Sequence, residues 1–304
     1  MSRKRKILFT SGLILLMMVS LFIWRAFQEK KAFLRIPIIF SHKKPCINVE
    51  IEGVRYLFQL DSGCFDCFST HKKEVIEKIK NKTPLNSVNW FDVNGNSYVS
   101  PTFMVDKINI ETFEISNAII QEENPFFILE GSHLNPSENP SREKDNGLEI
   151  ISGRIGIKVL RVLDYWLIDF PSSSIFAIRD IEKIKQVPGF SFEGFTEVHL
   201  EDIRSHVALL VETDFGIKKF ILDTGALRSV IAPPSERYLN HQILKTSRFS
   251  IGGYDLGETE LYLFRPAEDF LCDGFLGQDF FQKHAIYLDF KKNRAFIGPS
   301  SNSR

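Results

Sequence analysis

The chain has 304 residues, with 38 Lys+Arg against 38 Asp+Glu, so its formal net charge is +0. That balance removes any global electrostatic case for a nucleic-acid partner. A composition of 43% hydrophobic and 25% charged residues excludes a disordered chain and leaves one large or two small domains. Four cysteines include a single C-x-x-C, Cys64 and Cys67. With no second pair to complete a zinc site and no thioredoxin-like βαβ pattern, these read as small packing residues or an optional disulfide. The histidines show no H-E-x-x-H spacing, and neither a metal nor another cofactor is expected.

Residues 7–24 carry no charge and follow the basic run Arg3, Lys4, Arg5 and Lys6. Such a run reads as a membrane helix or a signal sequence. No clear small-residue cleavage site follows, so an uncleaved signal anchor is expected. Residues 1–31 would then be a cytoplasmic tail and bilayer span, with the rest of the chain outside the cytoplasm. Arg25, Lys30, Lys31 and Arg35 on the far side weaken that orientation.

From Ile47 the text becomes strand-like. Ile47 to Ile51 alternates apolar and polar residues, Glu52-Gly53 turns the chain, and Tyr56 to Leu60 leads to Asp61-Ser62-Gly63. Thr70 is placed to cap a short helix over 71–80. Asn94-Gly95 between strand-like runs marks a hairpin, and strands are expected over 102–110 and 113–121. Residues 131–147, rich in Ser, Pro, Asn and charge, read as an exposed loop. Gly153-Arg154-Ile155-Gly156 follows, then a helical run and a strand from Trp166 to Phe170. A connector over 182–194 closes the first half.

The second half repeats this order. Val207 to Glu212 is strand-like, Phe215-Gly216 turns, and Lys218 to Leu222 leads to Asp223-Thr224-Gly225. Phe249 to Tyr254 is a candidate hairpin. Gly274-Phe275-Leu276-Gly277, a helical run and a strand from Ile286 to Phe290 complete the copy. Asp61 and Asp223 are 162 positions apart (223 − 61), Gly156 and Gly277 are 121 apart (277 − 156), and Asp169 and Asp289 are 120 apart (289 − 169). The C-terminal parts of the copies therefore keep register, and the extra length of the first half lies between its aspartate and its glycine motif. A carboxylate ending a buried apolar strand is costly without a use. Two of them, each followed by Ser/Thr-Gly, suggest a pair brought together by an internal repeat.

This pattern resembles the aspartic proteases of the pepsin and retropepsin type, over about residues 45–298. It is carried by Asp61-Ser62-Gly63, Asp223-Thr224-Gly225-Ala226 and the segment Leu276-Gly277-Gln278-Asp279-Phe280-Phe281. The resemblance implies an all-β fold of two retropepsin-like β-barrel lobes, 45–181 and 195–298, in a compact single-chain bilobal arrangement behind the transmembrane helix. It implies an endopeptidase acting on polypeptide substrates, with Asp61 and Asp223 activating a water. Ser62 and Thr224 would brace the two loops, and Gly63 and Gly225 would admit backbone amides beside the carboxylates. A flap is expected, with Gly95 and Tyr98 as candidates in the first half and Gly252 and Gly253 in the second. Plain hairpin turns are the alternative at both places.

Cys64 and Ala226 stand where pepsin-like sites carry a Ser or Thr hydroxyl. The loss of such donors removes an influence that lowers a carboxylate's pKa, so an activity optimum less acidic than pepsin's is expected. Two other readings stay open: a non-catalytic binding or assembly protein on the same scaffold, and a homodimer that uses only Asp223.

Overall fold

The computed structural model describes residues 33–300 except 93–94, 124–150, 163, 179–180, 188–189, 236–241 and 266–271. The predicted anchor at 7–24 and the predicted loop at 131–147 fall outside the described residues. Among the described residues, no helix is long and apolar enough to cross a membrane.

Each half is built from a hairpin whose second strand delivers an aspartate. In the first half Lys44–Ile51 pairs antiparallel with Val54–Leu60, through a turn in which Glu52 and Gly53 take positive φ. In the second, His206–Thr213 pairs with Gly216–Leu222 through a turn at Gly216. The delivering strand then gains a parallel neighbour. Leu60 lies beside Ile155 of Ile151–Ile155, and Leu222 beside Leu276 of Gly274–Leu276. A strand flanked on both edges and covered on both faces should read as a nearly continuous apolar run. Phe58, Leu60, Phe220 and Leu222 are accordingly all buried. A short third strand, Phe68–Thr70 or Val230–Ile231, runs antiparallel to the far side of the parallel neighbour.

These elements belong to an eight-stranded and a nine-stranded sheet, one for each half. A six-stranded sheet drawn from both halves joins them. Its order is Phe33–Pro37, Ser174–Ile178, Tyr165–Asp169, His284–Asp289, Arg294–Pro299 and Thr196–His199. The central pair consists of the closing strands of the two copies, with Trp166 opposite Leu288 and Ile168 opposite Ile286. Against this sheet Phe192 meets Tyr287 edge-on, Phe296 lies tilted against both, and Phe190 and Phe195 extend the cluster from Phe192. These phenylalanines fill the joint between the halves.

Several local expectations are corrected. The helix expected over 71–80 is only Lys73–Lys78, and Thr70 does not cap it. Thr70 is a fully buried strand residue whose hydroxyl donates to the Ser152 carbonyl at 2.6 Å and accepts the Lys72 N–H at 3.1 Å. Tertiary pairing claimed the hydroxyl that local spacing offered to the helix. The strand expected over 102–110 is Ser97–Ile110, because it forms one long hairpin with Lys82–Phe91. The expected connector is no free linker. Ile181–Gln186 is a 3-10 helix, and Ile184 and Val187 are buried under the shared sheet.

Candidate active site

Asp61 and Asp223 each begin where a buried strand ends, and the same backbone bond holds each in place. The Asp61 N–H donates to the Ile155 carbonyl at 3.0 Å, and the Asp223 N–H to the Leu276 carbonyl at 2.9 Å. The two turns face each other across the joint between the halves. There the Ser62 N–H donates to Thr224 Oγ1 and the Thr224 N–H donates to Ser62 Oγ, both at 3.0 Å. Each hydroxyl then donates onward into the opposite half, Ser62 to the Leu222 carbonyl at 2.8 Å and Thr224 to the Leu60 carbonyl at 2.9 Å. Ser62 and Thr224 are both buried, so the four bonds form a closed and fully satisfied clasp.

The clasp brings each glycine against the opposite carboxylate. A Cβ placed on Gly63 would lie 2.3 Å from Asp223 Cγ, and one on Gly225 would lie 2.5 Å from Asp61 Oδ1. Asp61 lies close enough to Asp223 for its carboxyl to act directly on that of Asp223. Asp223 Oδ1 also accepts the N–H groups of Gly225 at 2.9 Å and Ala226 at 3.0 Å. Burial, and then the neighbouring charge of Asp61, push the Asp223 carboxyl up to about 8, against the weaker downward pull of the two amides. Asp223 still keeps part of its surface open to solvent. A pair in this state holds one proton between two carboxyls.

Two solved structures share this architecture. An aspartic proteinase from Irpex lacteus superposes with a TM-score of 0.58 at 12% identity, covering 89% of this chain and 98% of that one. Basic 7S globulin from soybean superposes with a TM-score of 0.52 at 8% identity, covering 89% and 96%. The fold is pepsin-like. At these identities the likeness concerns the pepsin-like fold alone, and one neighbour is a proteinase while the other is a globulin. No protein-family model and no curated protein sequence matches the chain.

The flap candidates of this pepsin-like chain have different surroundings. Gly95, with φ at +85°, forms part of the turn at the tip of the long first-half hairpin. Tyr98 stacks on Trp90 with ring centroids 4.6 Å apart, and its hydroxyl reaches Asp92 Oδ2 at 3.3 Å. In the second half a Cβ on Gly252 would meet Val198 at 2.6 Å, and Tyr254 sets its ring against His284. Gly253, at φ +85°, completes that turn. The second hairpin thus rests its turn on the shared sheet while its first strand pairs with His206–Thr213 of its own half.

Sequence reasoning missed the charged groups behind Asp61. Arg154 Nη1 lies 3.3 Å from Asp61 Oδ2, and its Nη2 pairs with Glu123, whose side chain is 1% exposed. Burial works against the charge of Arg154, but Glu123, Cys64 and Asp61 outweigh it and raise the pKa well above the usual arginine value. Cys64 does not face the dyad as a donor. Its thiol lies 3.5 Å from Asp66 Oδ2 and is held well above its ordinary pKa, chiefly by burial. Burial and then Glu123 push Asp66 up to about 6. A charged residue inside an otherwise apolar Gly-x-x-Gly strand was the available signal, because its counterpart in the repeat is Phe275.

Ligand atoms of Cys64, Asp66 and Glu123 lie within 4.8 Å of one another, close enough to consider a cation. The donor chemistry argues otherwise. The guanidinium of Arg154 already neutralises Glu123, the thiol of Cys64 keeps its proton, and Asp66 is the acceptor for it. The cluster is built to hold protons around one fixed cation. All four cysteines are free thiols, so Cys64 and Cys67 are not joined.

Proposed function

We propose that the chain is an aspartic endopeptidase whose single-chain dyad, Asp61 and Asp223, activates water for peptide hydrolysis. The observation that carries this reading is the pair of carboxyls brought together by the clasp, each delivered by one half and each packed against the other half's glycine. A water between them loses a proton to the ionised carboxylate as its oxygen attacks the scissile carbonyl carbon. The protonated carboxyl gives its proton to the carbonyl oxygen, forming a gem-diol. Collapse breaks the C–N bond: the first carboxyl passes its proton to the leaving nitrogen, and the second recovers one from a gem-diol hydroxyl. Both carboxyls end as they began, and protons balance through the cycle.

The homodimer reading is disfavoured because the partner carboxyl of Asp223 comes from its own chain. The non-catalytic reading is favoured by no feature of the site, although the fold is shared with a globulin. We further propose that residues 7–24 anchor the chain in a bilayer with the proteolytic halves outside the cytoplasm. The support is the uncharged run behind four basic residues.

The deciding experiment incubates the full chain in detergent with a mixed peptide library over roughly pH 3 to 8, a range that brackets a shared-proton pair. Cleavage by wild type, lost in both Asp61→Asn and Asp223→Asn, is expected. Loss in Asp223→Asn alone would restore the dimer. No cleavage by a folded wild-type chain would favour the binding scaffold. Extraction of membranes at alkaline pH and protection of the C-terminal halves from added protease in closed vesicles test the anchor and its orientation.

A further inference from the structure

The two halves differ at a buried position beside the dyad. Gly153-Arg154-Ile155-Gly156 and Gly274-Phe275-Leu276-Gly277 lie on equivalent strands, each parallel to the strand that delivers an aspartate. Phe275 packs among Ile203, Ala208, Ile221 and Cys272. Its counterpart Arg154 instead brings a guanidinium, 16% exposed, to Asp61. A buried cation is costly unless both paired and hydrogen-bonded, and Arg154 is held from two sides by Asp61 and Glu123. Its described ion pairs reach one member of the dyad only. Asp223 accepts the amides of Gly225 and Ala226.

Building on the protease reading, we infer that Arg154 is a positioning residue that places the dyad's shared proton on Asp223 and keeps Asp61 as the base. Two neighbouring carboxyls with similar surroundings can exchange roles. A guanidinium fixed 3.3 Å from one of them breaks that equivalence, because the carboxyl nearest the cation keeps the negative charge. Water then delivers its proton to Asp61 in every cycle, and Asp223 protonates the carbonyl.

The other charged groups around the pair do not undo this bias. Lys44, on the strand beside the one that delivers Asp61, adds a second influence of the same sign on Asp61, although burial weakens its charge. His206 comes from the second half, with Nε2 3.0 Å from the Gly63 carbonyl, and burial lowers its pKa, so it is neutral near pH 7. Glu123 opposes the bias by drawing on the same guanidinium. Asp66 and Cys64 lie on the turn after Asp61; the Cys64 thiol keeps its proton, while Asp66, raised to about 6, opposes the bias in part near pH 6. Lys158 acts on Asp66; His71, its pKa lowered by burial, lies toward Glu123; and Lys72 lies toward Glu74 and His71.

The test uses the full chain with its aspartate carboxyls labelled with carbon-13, each dyad signal assigned by its loss in Asp61→Asn or Asp223→Asn. Near pH 6 wild type is expected to show Asp61 at the ionised position and Asp223 at the protonated one. In Arg154→Gln/Glu123→Gln, which removes one buried charge of each sign, the two signals should converge. The acid limb of kcat/KM should then rise by about one pH unit or more. Glu123→Gln alone should move that limb the other way, because Arg154 then serves Asp61 undivided, and this variant keeps the test alive if the double one fails to fold. Arg154→Lys should retain most of the separation. Signals already merged in wild type, or limbs that stay put while activity merely falls, would overturn the inference. A wild type that cuts no peptide sinks the protease reading instead, and the carbon signals still decide where the proton sits.

Discussion

Gly63 stands against the carboxylate of Asp223, so close that a methyl group on Gly63 would lie 2.3 Å from Asp223 Cγ. Gly225 bears the same relation to Asp61. The two Asp-Ser/Thr-Gly turns are therefore one interlocked object, and the properties of each aspartate depend on the opposite half.

The first prediction concerns those glycines. Gly63→Ala and Gly225→Ala each force a carboxylate aside, and neither neighbour is a flexible side-chain end that can swing away freely. A loss of at least a hundredfold in kcat/KM is expected, with a stability cost of about 1–3 kcal/mol from overpacking. Peptide turnover and urea unfolding check both figures. An alanine variant with ordinary turnover would show that the turns do not approach this closely.

The clasp makes a second prediction. Thr224→Ala leaves the Ser62 N–H and the Leu60 carbonyl without their partner. Two unsatisfied buried groups should cost about 2–4 kcal/mol. Thr224→Ser keeps the hydroxyl and should cost well under half as much. Equal losses in the two variants would assign the effect to the methyl group's packing and not to the hydrogen bonds.

A third prediction follows from the raised carboxyl of Asp223. In the unfolded chain this group ionises near the ordinary aspartate value, while the folded group keeps its proton to about pH 8. Between those values the native state binds a proton that the unfolded state lacks. Stability from this group is therefore complete at acid pH and is lost as pH rises through that window. Asp223→Asn removes the penalty. Relative to wild type, it should gain on the order of 2 kcal/mol between about pH 4 and 8, a figure reduced for the group's partial exposure. Denaturant midpoints of both proteins at several pH values measure it, and a difference that does not change with pH would count against the assignment.

Thiol chemistry gives a fourth. Cys46 and Cys272 are buried, and burial raises the pKa of Cys64, Cys67 and Cys272. Since the thiolate is the reactive form, Ellman's reagent at neutral pH should label the folded chain at least tenfold more slowly than the urea-unfolded chain. Rapid labelling of Cys64 in the native state would mean that its thiol does not rest on Asp66.

Much of the fold was legible because it is periodic and repeated. Tyr56–Leu60 is largely apolar and Phe220–Leu222 wholly so, each leads into an aspartate, and the hairpin turns carry their own glycines. The constant spacing from Gly156 to Gly277 and from Asp169 to Asp289 showed that one unit had been copied. Strand pattern and turn chemistry are local properties, so they survive in a bare sequence.

What only the tertiary structure decided are the choices between partners far apart in the chain. Thr70 is a competent helix cap by spacing, yet its hydroxyl belongs to Ser152, 82 residues away. Phe192 and Phe296 carry no functional pattern, and their role appears only where strands of both halves meet. In the sequence Arg154 is one charge inside a glycine motif. Its meaning depends on Asp61, 93 residues earlier, and on Glu123, because a buried charge is defined by what neutralises it and not by its neighbours in sequence.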